Sequence, residues 1–342
     1  MMSEINRQWI FTERPQGFVD SNTFSYREVP LPTPDLEAGE VLVKTLYLSF
    51  DPAMRGWMDD KPSYLPPVEL GTPMRASGIG QVVASEREDL PVGTLVMGFL
   101  NWQDYAVFDS NSAGSLNALP AGTPPDMALS AFGGTSMTAY FGLFDVGQPK
   151  AGETVLVSGA AGATGSVVCQ LAKLKGCRVI GIAGGPEKCD WLKTECGVDE
   201  VIDYRNEDLN ERLAAIAPMS IDLFFDNVGG DMLEAAIEQM ADHGRIVLCG
   251  AIAGYNASEP PPGPRNMMTL IARRIRMQGF IMLDYLHRIE EFQAEFGTWV
   301  LEGKIKTRED IQEGFENIPA TLNRLFEGRN QGKQLLKLAD PV

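Results

Sequence analysis

The sequence predicts an α/β protein of two domains, one with a parallel sheet between helices and one that is all β. Residues 153–186 indicate the first domain, because they read as strand, glycine turn, helix and strand within about thirty residues. Strand and helix patterns then alternate to about residue 305. Residues 1 to about 128 indicate the second domain, since short β-branched runs there are separated by proline and glycine clusters. We therefore predict a Rossmann-type doubly wound sheet in one domain and a β fold in the other.

The glycine turn joins an apolar strand pattern, residues 154–157, to apolar residues at helical spacing over residues 166–175. Its glycines, Gly159, Gly162 and Gly165, are three residues apart. Glycine lets the backbone approach a pyrophosphate closely, and N–H groups at a helix start point at phosphate oxygens. We therefore predict a dinucleotide site here. The alternative is a turn that only packs a helix against a sheet.

The end of the second strand indicates which dinucleotide binds. An NAD site usually carries an acidic residue there, bonded to the ribose 2′-hydroxyl. Here residues 178–183 are followed by Gly184, Gly185 and Pro186, and Lys188 comes soon after. Tyr204 lies just after the third predicted strand, residues 200–203. A cation and a phenol without an acid favour the 2′-phosphate of NADP(H), although Lys188 also fits a solvated helix residue.

Charge and cysteine content restrict the partners and the compartment. The formal net charge of −17 argues against nucleic acid or an anionic membrane as a partner. The sequence shows no signal segment, and no stretch approaches the roughly 20 apolar residues of a spanning helix. All five cysteines lie between Cys169 and Cys249 without close pairing, which favours a reduced, cytoplasmic protein.

The domain plan follows the change in composition. Residues 1–128 form the β domain, and a small-residue helical stretch leads into the nucleotide domain, residues 129–305. Residues 306–342 predict one helix and one strand that complete the β domain. Further strands are predicted at residues 40–48, 79–84, 95–99, 221–226, 245–249 and 275–282, and further helices at residues 231–240 and 284–302.

Ligands of an open parallel sheet bind outside the carboxyl ends of its strands. Those ends fall at residues 158–165, 183–188, 227–230, 249–255 and 280–283. Asn227 and Tyr255 are the polar residues there best placed to contact the nicotinamide half of a cofactor. Ordinary loop capping is the alternative role for both.

A zinc site cannot be assembled from this sequence. Zinc sites need three or four protein ligands, mostly cysteine and histidine side chains. No cysteine precedes Cys169, and the two histidines, His243 and His287, fall at a predicted loop and a predicted helix start. We expect both histidines on the surface and no bound metal.

Several motifs in order resemble one enzyme family, from FDPAMRGWM near residue 50 to EGRNQGK near residue 330. The motifs between these two are AFGGTSMTAYFGL, AAGATGSVVCQLAKLKGC, DNVGG and CGAIAGYN. On these motifs, the chain is similar to zinc-free medium-chain dehydrogenases/reductases. Within that superfamily it resembles the leukotriene B4 12-hydroxydehydrogenase/prostaglandin reductase branch, and most closely the bacterial NADPH-dependent curcumin reductases. The resemblance implies a GroES-like β-barrel for the β domain, NADP(H) as cofactor and a homodimer.

The resemblance also implies a set of cofactor contacts. The glycine turn would hold the pyrophosphate, Lys188 and Tyr204 the 2′-phosphate, and Asn330 would reach the cofactor across the interdomain cleft. The full set is Gly162, Ala163, Thr164, Gly165, Ser166, Lys188, Tyr204, Asn227, Cys249, Gly250, Ala251, Ile252, Tyr255, Phe280, Ile281, Met282 and Asn330.

Without a metal, NADPH can reduce an activated C=C bond by hydride transfer to the β-carbon of an enone or enal. Negative charge then develops on the carbonyl oxygen, which needs hydrogen-bond donors. Tyr255 is the first candidate catalytic donor, alone or with the ribose 2′-hydroxyl, and Tyr64 is the second, with loop packing as its alternative role. Tyrosine is a slow acid at neutral pH, so water is a second source of the α-proton.

The substrate pocket is predicted from the DPAMR segment and the loop after it. Ala53 stands where relatives carry a tyrosine that faces the substrate, which predicts a wider pocket with one hydroxyl fewer. The predicted pocket residues are Ala53, Met54, Trp57 and Tyr64, and Met58, Trp102, Tyr105 and Met282 fit either the pocket or the core. A small unsaturated carbonyl compound is the expected substrate. A quinone reductase and an NADPH-binding protein without turnover are the alternative functions.

Overall fold

The computed structural model describes residues 5–109, 111–259 and 261–341, and the chain divides into two compact units. Unit 1 comprises Met1–Leu129, Glu309–Arg329 and Gln334–Val342, and unit 2 comprises Ser130–Arg308 and Asn330–Lys333. The sequence predicts that residues 306–308 and 330–333 belong to the β domain. In the structure, both segments belong to unit 2.

The N-terminal part of unit 1 is rich in strands but is not all β as predicted. A short helix follows the third strand and another ends the segment, because residues 53–57 and 125–129 include good helix formers such as Ala, Met and Leu. The elements are β1 (Ile5–Phe11), β2 (Phe24–Pro30), β3 (Val41–Ser49), α1 (Ala53–Trp57), β4 (Ser77–Ala84), β5 (Leu95–Phe99), β6 (Tyr105–Phe108), β7 (Asn117–Ala118) and α2 (Pro125–Leu129).

Unit 2 alternates strands and helices. The elements are α3 (Gly134–Phe141), β8 (Thr154–Val157), α4 (Ala163–Leu174), β9 (Arg178–Ala183), α5 (Pro186–Thr194), β10 (Glu200–Asp203), α6 (Leu209–Ile216), β11 (Ile221–Asp226), α7 (Gly230–Gln239), β12 (Met240–Leu248), α8 (Met267–Ala272), β13 (Arg276–Gly279) and α9 (Ile289–Leu301). A π-helical segment, Gly142–Gly147, continues α3. Within the described ranges, no helix is both long and apolar enough to cross a bilayer.

The six strands of unit 2 form one parallel sheet in the order β10-β9-β8-β11-β12-β13. This is the doubly wound order in which dinucleotides bind where the strand order reverses, here at β8 and β11. Both faces of the sheet are covered, one by a cluster that includes α3, α4 and α9 and the other by a cluster that includes α6 and α7. Burial on both faces explains why residues 155–157 of β8 and residues 223–225 of β11 are all apolar.

The C-terminal residues add β14 (Glu309–Glu313), α10 (Ile318–Phe326) and β15 (Lys333–Lys337). Within unit 1, the sheet order is β14-β15-β3-β4-β5-β7, and β6 pairs with β3. Its pairs β15–β3, β3–β4, β3–β6, β4–β5 and β5–β7 are antiparallel. The expected C-terminal helix and strand are present, and β14 is an additional strand that the sequence did not indicate.

Four predicted elements of unit 2 differ from the structure. Helix α4 begins at Ala163 rather than residue 166, because its first turn carries no large apolar residue that would mark a period. Residues 284–288 belong to a 3₁₀ helix, Met282–Arg288, and only Ile289–Leu301 is α-helical. The strand predicted at residues 275–282 is limited to Arg276–Gly279, and β12 starts at Met240, so His243 lies in a strand rather than a loop.

Candidate active-site residues

The start of α4 offers backbone N–H donors beside the glycine turn. Gly162 is the N-cap residue and supplies no side-chain hydrogen bond, so the N–H groups of Ala163, Thr164 and Gly165 lack intrahelical acceptors. A Cβ at Gly165 would lie 2.3 Å from the carbonyl oxygen of Gly159, so only glycine allows the helix to start this close to the turn. These donors at the positive end of a helix dipole fit a pyrophosphate.

At the end of β9, two side chains occupy the space in which NAD sites carry an acid. A Cβ at Gly184 would lie 2.8 Å from Cε1 of Tyr204 and 2.9 Å from Nε of Arg205. The guanidinium of Arg205 lies 6.0 Å from the Tyr204 ring centroid, and Lys188 follows in the first turn of α5. Two cations and a phenol around one strand end fit a phosphate rather than a ribose hydroxyl. Arg205 was not predicted from sequence, although it directly follows Tyr204.

Asp203 connects the loops that carry these residues. Its Oδ1 accepts hydrogen bonds from the N–H groups of Gly185, at 2.8 Å, and Arg205, at 3.1 Å, and its Oδ2 accepts one from Asn206 at 2.7 Å. Burial raises the pKa of Asp203, but these bonds outweigh burial and hold it below the ordinary value. The carboxylate nearest this strand end is therefore engaged by the backbone and positions Arg205.

Asp226 connects the ends of β8 and β11, and sequence reasoning missed it. The side chain is fully buried and accepts hydrogen bonds from the Ser158 hydroxyl, at 2.7 Å, and from the N–H groups of Val228 and Gly229. Burial raises its pKa, although the hydrogen bonds act in the opposite direction. Asn227 donates through Nδ2 to the Ser158 carbonyl at 2.7 Å, which fixes its side chain at the switch point of the sheet.

The loop after β12 brings Tyr255 to the switch point of the sheet, beside Asn227. The Tyr255 hydroxyl accepts a hydrogen bond from the N–H of Ala251 at 3.2 Å. A Cβ at Gly250 would lie 3.1 Å from the Asn227 carbonyl oxygen and 3.3 Å from the Tyr255 hydroxyl, so these groups converge. Ile252 donates from its N–H to the same Asn227 oxygen at 3.4 Å. Asn227, Gly250, Ala251 and Tyr255 therefore form one cluster at these strand ends.

Cys249, the first residue of this loop, is unsuited to chemistry. Burial, with a contribution from the Asp226 carboxylate, raises the pKa of the Cys249 thiol to about 12. A thiol that stays protonated is a poor nucleophile and a poor ligand. Any contact from Cys249 to a cofactor would therefore involve its backbone or van der Waals surface.

The residues after β13 pack into unit 2. The Phe280 ring lies edge-on to Phe225, with 6.4 Å between centroids, and a Cβ at Gly142 would lie 2.3 Å from Phe280 Cζ. Met282 Cε approaches the Cβ position of Gly134 at 3.3 Å. Both side chains are thus partly engaged in packing, and the backbone of residues 280–282 is the part left for a ligand at this strand end.

Asn330 lies in unit 2 beside the glycine turn, so the expectation that it reaches across a cleft is wrong. Its Nδ2 donates to the carbonyl of Gly332 at 2.9 Å, and the N–H of Gly332 donates to the Ala161 carbonyl at 3.2 Å. Gly332 also forms a parallel bridge with Gly162. Residues 330–333 are therefore part of the nucleotide unit itself.

Unit 1 carries a partly exposed aromatic group formed by Trp57, Tyr64 and Phe99. Trp57 donates from Nε1 to the Tyr64 hydroxyl at 3.0 Å, and its ring lies edge-on to Phe99 at 6.3 Å. Tyr64 is 45% exposed and Phe99 is 47% exposed. Ala53 is the first residue of α1 and is half-buried. Exposed aromatic surface of this kind suits a flat ligand, and Phe99 was missed because it ends an ordinary strand pattern.

Four predicted pocket candidates belong to the core of unit 1. Met54 is 1% exposed, and Met58 and Trp102 are fully buried in the same apolar cluster. Tyr105 is 4% exposed. Core packing accounts for these side chains, so Met54 is not available as a pocket wall and only Ala53, Trp57 and Tyr64 remain candidates. Buried Arg55 fixes α1 by donating to the carbonyls of Pro15 and Gly17 and to Asp59.

Among the described residues, no group of three or more histidine, cysteine or carboxylate side chains is placed to hold a metal. His243 and His287 are both exposed. By contrast, the donors at α4, the cations beside Gly184 and the cluster around Tyr255 all lie at carboxyl ends of the parallel sheet. This set fits a phosphorylated dinucleotide.

Comparison with known proteins agrees with this geometry. Residues 7–116 match a family described as the N-terminal domain of oxidoreductase, and residues 163–300 match one described as zinc-binding dehydrogenase. The chain is 43% identical to NADPH-dependent curcumin reductase of Escherichia coli, over 98% of this chain and 97% of the relative. It is 39% identical to prostaglandin reductase 1 of Rattus norvegicus, over 97% and 98%. The crystal structure of CurA from Vibrio vulnificus with NADPH is 42% identical, covers 98% of this chain and 100% of its own, and superposes with a TM-score of 0.92.

Proposed function

Because this chain belongs to the medium-chain dehydrogenase/reductase superfamily, in the branch of the curcumin and prostaglandin reductases, we propose that it reduces the C=C bond of α,β-unsaturated ketones and aldehydes with NADPH. Membership confirms the resemblance read from the motifs and the predicted pairing of a Rossmann-type domain with a GroES-like domain. The observation that carries the proposal is the convergence of Asn227, Gly250 and Tyr255 at the switch point of the sheet.

Each group in unit 2 has one task in this reaction. The N–H groups of Ala163, Thr164 and Gly165 hold the pyrophosphate, and Lys188, Tyr204 and Arg205 hold the 2′-phosphate. The Asp226 network fixes the ends of β8 and β11, which carry the nicotinamide half. Bound NADPH supplies the hydride for the β-carbon of the substrate.

Tyr255 is the proposed donor to the substrate carbonyl oxygen. Its hydroxyl oxygen accepts a hydrogen bond from the Ala251 N–H, which fixes the position of the phenol at these strand ends. A donor fixed in advance stabilises the enolate without reorganisation during the reaction. The Tyr64 hydroxyl likewise accepts a hydrogen bond, from the Trp57 indole, so Tyr64 remains the second candidate donor.

The substrate class follows from unit 1. Trp57, Tyr64 and Phe99 form an apolar aromatic surface, and Ala53 adds a small side chain next to it. We therefore expect flat, conjugated carbonyl compounds, including aryl enones, to be better substrates than short aliphatic ones.

The decisive experiment measures oxidation of NADPH by purified protein with three substrates in parallel. These are a trans-2-alkenal, an arylidene ketone and a quinone, and the products are identified by mass spectrometry. We expect saturated carbonyl products from the first two. Turnover of the quinone alone would replace the proposal with a quinone reductase. Tight NADPH binding without turnover of any substrate would indicate a binding protein.

The homodimer is also part of the proposal. Strand β13 forms one edge of the parallel sheet, so one side of its backbone has no strand partner among the residues of unit 2 that the structure describes. The nearby helix α8 exposes Met268 at 72% and Ile271 at 70%. Pairing of β13 edges in two copies would cover such a surface. Light scattering should give twice the chain mass, and a monomer at micromolar concentration would contradict this.

A reducing compartment such as the cytoplasm is the proposed location. All five cysteines are free thiols, and burial raises the pKa of Cys169, Cys177, Cys189 and Cys196. Free buried thiols are typical of proteins kept under reducing conditions.

A further inference from the structure

Unit 2 has a small cleft at the start of α4 whose lining goes beyond the predicted cofactor contacts. Two of its residues are cations and none is an acid: the lining consists of Ser130, Ala163, Ser166, Thr307, Arg308 and Lys333. Lys333 is only 3% exposed. Cations at the N-terminal end of a helix add to its positive potential, so the cleft favours an anion.

The backbone around this cleft is held firmly. The side chain of Gln170, on α4, donates to the carbonyl of Lys306 and accepts from its N–H, both at 2.8 Å. The N–H of Lys333 donates to the carbonyl of Arg308 at 2.8 Å. A Cβ at Gly332 would lie 2.0 Å from that same oxygen, so glycine is required there. Arg308 is thus fixed next to the glycine turn by the fold.

The side chain of Arg308 is less constrained. Its Nη2 donates to Glu187 Oε1 at 3.0 Å, and the two side chains are 34% and 67% exposed. Glu187 lies in the first turn of α5, directly before Lys188. Exposed ion pairs contribute little free energy, whereas an arginine bound to phosphate forms stronger, charge-assisted bonds.

Resting on the proposed NADPH-dependent function, we propose that Arg308 exchanges partners when the cofactor binds. Without cofactor it pairs with Glu187, and with cofactor it binds the diphosphate together with Lys333 and the first turn of α4. Glu187 is then an internal competitor that lowers the affinity for NADPH and NADH alike. This distinguishes Arg308 from Lys188, Tyr204 and Arg205, which act on the 2′-phosphate only.

The test compares dissociation constants for NADPH and NADH, measured by fluorescence titration at low salt. Arg308→Gln should weaken both cofactors by about tenfold, because the diphosphate is common to them. Glu187→Gln should tighten both by about twofold to fivefold, since the competing carboxylate is lost. The double variant should behave like Arg308→Gln. Lys304→Gln is the matched control, because it breaks a similarly exposed pair with Glu302 away from the cleft and should change neither constant.

The outcomes separate this exchange from the proposed function. The exchange would be overturned if Arg308→Gln bound both cofactors as the wild type does. If Lys188→Ala still weakened NADPH alone in the same experiment, the proposed function would remain. Loss of NADPH affinity alone in Arg308→Gln would move Arg308 to the 2′-phosphate and also overturn the exchange. Unchanged binding in Glu187→Gln would remove the competitor role. A wild-type chain that binds neither cofactor would overturn both proposals.

Discussion

At the end of β9, Gly184 leaves no room for the carboxylate that NAD sites carry there. Tyr204 and Arg205 occupy that space, each with an atom within 3.0 Å of the position a Cβ would take (2.8 Å and 2.9 Å). The proposed preference for NADPH therefore depends on two side chains from the loop after β10 as well as on Lys188. A Gly184→Asp change would require both exposed side chains to move aside.

Arg205→Ala tests this arrangement. The variant should raise the KM for NADPH by about tenfold, because a charge-assisted hydrogen bond to phosphate is lost, and should leave the KM for NADH within about twofold. Lys188→Ala should show the same selectivity. Steady-state kinetics with both cofactors give the ratio. Equal effects on NADPH and NADH would show that Arg205 does not contact the 2′-phosphate.

Tyr255→Phe separates catalysis from binding. The change removes the hydroxyl bonded to Ala251 and should lower kcat with enones by about 100-fold, the loss expected for one donor to a developing oxyanion. NADPH affinity should change little. Titration of NADPH beside steady-state turnover measures both quantities. Unaltered kcat would exclude Tyr255 from the reaction.

For single residues, the sequence predicted site candidates only where a recognisable pattern marks the position. Glycine spacing and strand ends predicted Lys188, Tyr204, Asn227 and Tyr255 as site candidates. Asp226 and Arg308 leave no such mark, because a buried acid and an arginine after a helix look like ordinary polar residues. Their roles depend on hydrogen bonds that only the folded chain brings together. Met54 was misassigned because burial of one methionine in MRGWM cannot be read from its neighbours.

At the level of single elements, helix α4 depends on a glycine in its first turn. A Cβ at Gly165 would meet backbone atoms of Gly159 and Ala160 at 2.3 and 2.9 Å, and backbone cannot move aside as a flexible side chain can. Gly165→Ala should therefore reduce the free energy of unfolding by about 3 kcal/mol and displace the pyrophosphate donors. Urea unfolding and NADPH titration of the same sample measure both effects.

Gly56→Ala in α1 is the matched control for that change. Gly56 is also helical with an unstrained φ, but nothing lies within 4 Å of the Cβ position. The variant should be about 0.5–1 kcal/mol more stable, because alanine lowers the entropy of the unfolded chain. Equal effects at the two sites would mean that the Gly165 contact does not restrict α4.

Element types were predicted well where apolar periodicity is strong, as for β9, β10 and β11, whose bounds match the prediction. Boundaries failed where the local signal is weak. The first turn of α4 is made of small residues, and the 3₁₀ segment Met282–Arg288 reads as the start of α9. Both boundary errors lie just after strands of the parallel sheet. The backbone there forms the candidate site and does not show the apolar spacing of a helix.

At the scale of the whole molecule, a parallel sheet follows from the alternation of strands and helices, but the partition of the C-terminal segment does not. Residues 306–308 and 330–333 join unit 2 through hydrogen bonds to Gln170 and to the glycine turn. Adjacent residues return to unit 1. The composition of the sequence does not change at the points where the chain passes from one unit to the other. Single backbone contacts fix these points instead.

Stability of the folded chain in acid should depend on the ion pair between Glu153 and Arg245 in unit 2. Arg245 donates from two nitrogens to the two Glu153 oxygens, at 3.0 and 2.5 Å, and from Nε to the Gly147 carbonyl at 2.7 Å. Both side chains are 16% exposed. Burial raises the pKa of Glu153, but the hydrogen bond from Arg245, the hydrogen bond from the Lys150 N–H and the charge of Arg245 together outweigh it, so the folded pKa lies below the ordinary value. This pair therefore stabilises the chain above the unfolded pKa of glutamate, and the contribution is lost as pH falls through the lowered folded pKa.

Arg245→Met should reduce the free energy of unfolding by about 3 kcal/mol at neutral pH, because it leaves a mostly buried carboxylate without its partner. The difference from wild type should shrink as the pH falls below about 4, where Glu153 becomes protonated and no longer needs a cation. Thermal unfolding across pH measures this. Arg274→Met breaks a pair with Asp242 whose side chains are 51% and 61% exposed, so it should cost less than about 1 kcal/mol at any pH. A pH-independent difference for Arg245→Met would show that the packing of the arginine stem, rather than the charge on Glu153, stabilises this part of unit 2.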